Sequence, residues 1–259
     1  MEKRNWELMS HGIYNTRYHW NFSPEEERAA MLESRDIHKK LTGREQKGWF
    51  SPAITNTVNT FDLAAECGFS YTADLYHDDQ PFPLRVKSGA LLSLPYTVEL
   101  NDVLSHRRGE EAEEFARQIR DYFDTVYAEG AEQGRVMCIA LHPYWVGQPH
   151  RIRAVRAALE YVLSHSGVWL ARGSEIVDWF NANHLPASES HLAGREAANG
   201  GIRTLQHSPG KRTSRTGDGP RALPLPQADG CPALRVARRR AHRADRYTDG
   251  GPLGALTAR

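Results

Sequence analysis

Six apolar or small residues, Val136 to Leu141, run without interruption into His142 and Pro143, and this stretch constrains the fold more than any other. A continuous apolar run after Gly134 fits a strand buried on both faces of a parallel sheet, because a half-exposed strand would alternate. Pro143 cannot extend a strand ladder, so His142 falls at the strand's C-terminal end. In sheets and barrels built from β-α units, that end carries ligands and catalysis. His142 is therefore either a site residue or a histidine that caps a strand on a neighbouring carbonyl.

The rest of the chain supplies elements around this strand. Asn5 to Gly12 reads as a short strand ending at His11. Ser23-Pro24-Glu25-Glu26 is a helix start, with Ser23 as N-cap and Glu26 closing a capping box; the helix runs to about Leu41 and stops near Gly43. Lys47 to Phe50 and Phe69 to Ala73 are strands separated by a short helix over Phe61 to Cys67, closed by Gly68. The second of these strands delivers Asp74, His77, Asp78 and Asp79 into a loop held by Pro81 and Pro83, and Ala90 to Leu94 is the next strand. Phe115, Ile119, Tyr122, Phe123 and Val126 mark one face of a long amphipathic helix between Gly109 and Gln133. Pro149 opens another helix, Val168 to Ala171 is a last strand, and Ser174 caps a final short helix.

Six strands alternating with helices predict an α/β fold with a mostly parallel sheet or barrel. The pattern ends near Pro186. From Arg195 to Arg259 there are 13 Lys and Arg against 5 Asp and Glu, leaving 20 against 27 for residues 1–194. Two domains follow: 1–186 folded, and 187–259 a low-complexity basic tail expected to be disordered. The tail reads as a disordered appendage, as an arm for an anionic partner or nucleic acid, or as out-of-frame coding sequence. Arg151, Arg153 and Arg156 fit a solvated helix face better than a nucleic-acid patch, having no interleaved aromatics. Cys67, Cys138 and Cys231 are too few and scattered for a disulfide framework or a zinc cluster. With no hydrophobic leader and no run of membrane-spanning length, a soluble cytoplasmic protein is expected.

Five segments, in order, resemble the polysaccharide deacetylase (NodB-homology) superfamily and most closely its allantoinase-like, PuuE-like branch: Trp6 to Gly12, Gly48 to Pro52, His77 to Pro81, Val98 to Asp102 and Leu141 to Pro149. The resemblance implies a distorted β/α barrel that hydrolyses carbon-nitrogen bonds other than peptide bonds, acting on a carbohydrate or small-molecule substrate: an acetyl group removed from an acetamido sugar, or a related amide opened. It also implies a divalent metal such as zinc, with His11 as the first metal histidine and His142 as the acid that protonates the leaving nitrogen. Asp78 and Asp79 are the remaining catalytic candidates, with a competing reading as turn-capping aspartates. Asn15, Tyr14, Tyr144, Trp145 and Asp102 are candidates for substrate contact, the aromatics either forming a wall for a planar ligand or completing packing.

The chain departs from the family pattern in three places. The opening Asp-Asp strand end is absent, the second metal histidine is replaced by Asn15, and only Pro52 remains of the family's Arg-x-Pro-Tyr motif. These departures predict either a branch less defined by metal or a barrel lacking its first strands. In the second case the exposed sheet edges lead to poor solubility or self-association unless another chain fills the gap, and a catalytically inactive remnant is the alternative to an enzyme.

Overall fold

The computed structural model describes residues 4–14, 16–76 and 78–198, all in one compact unit. The chain runs through α1 (Pro24–Thr42), β1 (Gly48–Trp49), α2 (Thr60–Glu66), β2 (Tyr71–Thr72), β3 (Phe82–Leu84), β4 (Leu91–Ser93), α3 (Asp102–Arg107), α4 (Ala112–Glu129), α5 (Pro143–Val146), α6 (Ile152–Leu163), α7 (Gly173–Asn183) and α8 (Leu185–Ala198). The α/β expectation holds, in the form of an incomplete barrel. β1, β2 and β4 lie side by side and parallel, and a single parallel bridge from Ser10 to Trp49 adds the first segment beside β1.

α1 begins as its sequence predicts. Ser23 accepts the Glu26 backbone N–H while Glu26 accepts that of Ser23, and the chain leaves the helix at Gly43 with φ of 69°. We expect Ser23→Ala to lower stability by about 1 kcal/mol in denaturant unfolding, since it orphans one helix-start N–H.

Three hydrophobic clusters hold the elements. Met31 of α1 and Leu63 and Ala64 of α2 pack with Trp49, Phe69 and Leu91. Val177 and Phe180 of α7 pack with Tyr71, Leu92 and Leu94, so adjacent residues Leu91 and Leu92 serve different clusters, as strand alternation requires. Phe115 and Ile119 of α4 meet Val155 and Ala158 of α6 over Leu100 and Val146. Tyr71 leaves no room around it: a Cβ at Gly48 or at Gly173 would overlap its ring.

Several strand expectations are corrected. In the run Val136 to Leu141 the first five residues are half-buried and Leu141 is exposed, and the run makes one bridge, Asn101 to Ala140, instead of a ladder. Its neighbour is a 3-10 turn over Val98–Leu100, which offers only a residue or two of partner backbone. The loop expected around Pro81 and Pro83 contains β3, antiparallel to β4 at the sheet's edge, where a proline without an N–H is tolerated. Val168 to Ala171 forms no strand, and Trp169 and Leu170 stand 55% and 82% exposed. The last helices also begin elsewhere: α6 starts at Ile152, and α7 starts at Gly173 with Arg172 as its N-cap.

The helical pattern passes the expected boundary at residue 187, because α8 continues to Ala198. The remainder of the basic tail, 199–259, lies outside the described residues. Among the described residues no helix is long and apolar enough to cross a membrane. With Trp6, Trp169 and Leu170 exposed, we expect self-association in sizing chromatography; a monodisperse monomer would contradict this.

Candidate active site

The single bridge at Ala140 does the positioning that a full strand would otherwise do. Ala140 donates its N–H to the Leu100 carbonyl (3.0 Å) and accepts the N–H of Asp102 (3.1 Å), which sets the start of α3 beside the start of α5. Asn101 secures that turn. Its Oδ1 accepts the N–H groups of Val103 and Leu104, and its Nδ2 donates to the Tyr96 hydroxyl at 2.7 Å.

Asp102 then grips His142 twice. Oδ2 accepts the His142 backbone N–H at 2.7 Å, and Oδ1 lies 2.6 Å from Nδ1 of the ring. A carboxylate that already takes a backbone N–H offers Nδ1 only an acceptor, so Nδ1 carries the proton and Nε2 is the ring's outward nitrogen. Asp102 is 3% exposed whereas the His142 side chain is 30% exposed, so the pair has a buried anchor and an accessible tip.

His11 completes the arrangement from the first segment. Its ring stacks on Phe50 with centroids 4.6 Å apart, and Nδ1 donates to the Phe50 carbonyl at 3.2 Å. Burial lowers its pKa below the ordinary 6.5, the Phe50 carbonyl partly opposes this, and nearby His142 lowers it further. His11 is therefore neutral at neutral pH, and its Nε2 has no hydrogen bond among the described residues. Phe50 also touches Tyr96, at 5.0 Å between rings, and burial pushes the Tyr96 hydroxyl up to about 12.

Behind Phe50 sits a group to which the sequence assigned only a loop position. Asp74, 1% exposed, accepts the Ser51 N–H at 2.7 Å and the Ser51 hydroxyl at 2.8 Å, locking the turn that presents the Phe50 carbonyl to His11. Burial, opposed by these hydrogen bonds, raises its pKa to about 6. Its position just past β2 was the available signal, one shared with the neighbouring loop acids. Ser51, Phe50, Tyr96 and Asn101 carried no signal of chemistry in the sequence.

The other candidates are distributed unevenly. Tyr144 is 58% exposed and sets its ring edge-on to His142 at 5.4 Å, where it can line a ligand. Trp145 is instead packed against His106, with centroids 3.8 Å apart. Asp102 faces His142 from below and is too buried to meet a substrate. Asp78 accepts the N–H groups of Asp79 and Gln80, the turn-capping geometry; Asp79 pairs with Arg135 at 3.0 Å. Both line an open cavity of 420 Å³ with Tyr76, Tyr96, Glu99 and Tyr122, and neither contacts His142 among the described residues. Tyr14 is exposed against α1, and Asn15 lies outside the described residues.

The described residues do not fit a metal of the expected kind. Among the described residues no three His, Cys, Asp or Glu side chains gather closely enough to hold an ion, and the carboxylate nearest His142 is committed to it. His11 by itself is one donor where zinc takes three or four from protein.

No family model matches the chain. A crystal structure of PuuE allantoinase is 32% identical, with a TM-score of 0.63, over 69% of this chain and 60% of that one. A polysaccharide deacetylase-type structure from Pseudomonas aeruginosa PAO1 matches at 32% identity with a TM-score of 0.62 and the same coverage. The chain is a relative of the PuuE-like polysaccharide deacetylases. A curated protein of Schizosaccharomyces pombe named for polysaccharide deacetylases is 36% identical over 126 residues, which are 44% of this chain and 39% of that one. A Mycobacterium smegmatis structure at 23% identity, with a TM-score of 0.63, shares the fold. The chain thus spans 39% of the curated relative and 60% of the two solved ones at 32% identity. The family resemblance and the fold expected from the five segments are both borne out.

Proposed function

We propose that the chain up to α8 is a hydrolase of non-peptide carbon-nitrogen bonds, removing an acetyl group from an acetamido sugar or opening a related amide. The observation that carries this reading is the double hydrogen bond from Asp102 to His142 beside a neutral His11. In the reaction, His11 Nε2 takes a proton from water as the water oxygen attacks the amide carbon. The carbon-nitrogen bond then breaks as the protonated His142 ring, its charge balanced by Asp102, gives its Nε2 proton to the departing nitrogen; the carboxylic acid and the amine leave, and solvent takes the proton from His11 and returns one to His142. Asp102 keeps the His142 ring in the tautomer and orientation that aim Nε2 outward, and Tyr144 supplies a face for the substrate ring. The names of the relatives support both substrate classes, a polysaccharide for the deacetylases and allantoin for PuuE.

Incubating the full chain separately with N-acetylated sugar oligomers and with allantoin tests this. Acetate release or ring opening is the expected outcome, and which substrate turns over assigns the class. No conversion of either by a sample shown folded by circular dichroism would leave the alternative, a PuuE-like fold without hydrolytic activity.

A further inference from the structure

The peptide group between Phe50 and Ser51 is bonded at both ends. Its carbonyl accepts the Nδ1–H of His11 at 3.2 Å, and its N–H donates to Oδ1 of Asp74 at 2.7 Å. Carboxylate, peptide and imidazole therefore form one unbroken chain of hydrogen bonds. His142 meets its carboxylate, Asp102, directly; His11 meets Asp74 through a single amide.

The turn that holds this amide is strained. Ala53 and Ile54 take φ of 51° and 57°, the left-handed region, which a β-branched residue rarely adopts. Such strain persists only where surrounding bonds over-determine the backbone, and it clusters at functional sites. Here the Ser51 hydroxyl donates to Oδ2 of Asp74 at 2.8 Å and accepts the Trp49 Nε1–H at 3.2 Å. The Thr55 hydroxyl donates to the Pro52 carbonyl at 2.6 Å and accepts the His19 N–H at 2.9 Å. From the other side, Phe50 donates its N–H at 3.0 Å to the carbonyl of Ser10, the residue before His11.

The electrical effect of the chain has a definite direction. A negative carboxylate at the N–H end pushes electron density toward the carbonyl end, and hydrogen bonds in series polarise one another where water is absent, as it is around buried Ser51 and Asp74. A stronger acceptor for Nδ1–H raises the basicity of the opposite ring nitrogen. The other titratable groups acting here are Glu27, which raises the Asp74 pKa while accepting the hydroxyls of Thr57 and Thr60, and the rings of His142 and His19 near His11.

We propose that Asp74 is a positioning residue of the hydrolytic site, the carboxylate of a second Asp–His pair in which the Phe50–Ser51 amide relays its charge to His11 and makes Nε2 a stronger base. The use of that base rests on the hydrolytic reading; the relay can be read without turnover.

Proton NMR of the His11 Nδ1–H in the full chain tests it. At about pH 7 and above, with Asp74 ionised, this signal should lie downfield of its position in Asp74→Asn, whose amide oxygen still accepts the Ser51 N–H. Coincident signals would overturn the proposal whatever the activity. Should Asp74→Asn fail to fold, the coupling is read in reverse, since it is reciprocal: His11→Phe keeps a ring on Phe50 but removes the donor, and the Asp74 carboxyl, followed by ¹³C NMR, should then titrate higher than in the wild type. An unchanged Asp74 titration would overturn the relay equally. In turnover, Asp74→Asn should lower kcat and leave KM in place, and a variant that raised KM alone would overturn the assigned role. A wild type inert toward both substrates while the proton shift persists would support the relay and overturn the hydrolytic reading alone.

Discussion

Replacing Asp102 with asparagine lowers amide hydrolysis by roughly 10²–10⁴-fold, the range that a positioned proton-transfer group contributes. Asparagine keeps one acceptor for the His142 backbone N–H but turns an amide N–H₂ toward Nδ1. The ring then does best by placing its proton on Nε2 and accepting at Nδ1, the reverse of the tautomer that the aspartate imposes. That neutral ring is a far weaker acid at Nε2 than the protonated ring, which loses the counter-charge that Asp102 supplies. Steady-state rates should therefore fall in kcat more than they rise in KM, because Asp102 is too buried to touch substrate. A variant that kept kcat and raised only KM would assign Asp102 a binding role instead.

The second large effect is on stability against pH, and Asp74 causes it. Its carboxyl has an ordinary pKa of 3.8 in the unfolded chain and about 6 in the fold. The folded state therefore holds the proton more tightly, and the stabilisation from the protonated form is fully present below the unfolded value. It is lost as pH rises through about 6. A shift of this size corresponds to about 3 kcal/mol between the two limits. Denaturant unfolding should show the wild type losing that much more stability than Asp74→Asn between about pH 4 and about pH 7. Asparagine still accepts the Ser51 N–H through its carbonyl, so the variant keeps the turn while losing the titration. Parallel pH profiles for the two proteins would mean that the Asp74 carboxyl is not shifted by burial. The same turn carries the Phe50 carbonyl that fixes His11, so the conformation at His11 is tied to this buried acid.

The local signals of the chain were legible where they depend on neighbouring residues. Ser23, Pro24 and Glu26 set the start of α1, and Gly43 its end, within one turn of backbone that the sequence itself specifies. Pro143 likewise fixed His142 at the end of an extended segment. What depends on distant partners was not legible. The apolar run before His142 suggested a full strand, yet its depth of burial is set by whether another strand lies alongside, and among the described residues its one bridge is to Asn101. The prolines around β3 indicated a loop, because an edge position that excuses a missing N–H exists only once β4 is in place. Asp102 showed its polarity but not its direction: 40 residues separate it from His142, and the bridge at Ala140 brings them together. Asp78 and Asp79, the most conspicuous acids in the sequence, are occupied by their own turn and by Arg135.

The most direct test of the account is chemical rescue at His142. In His142→Gly, hydrolysis of the preferred substrate should fall to background, and added imidazole, able to sit on Asp102 in the vacated space, should restore part of it. A His142→Gly protein that turns over at the wild-type rate without imidazole would contradict the assignment, because the proton for the leaving nitrogen would then come from another group.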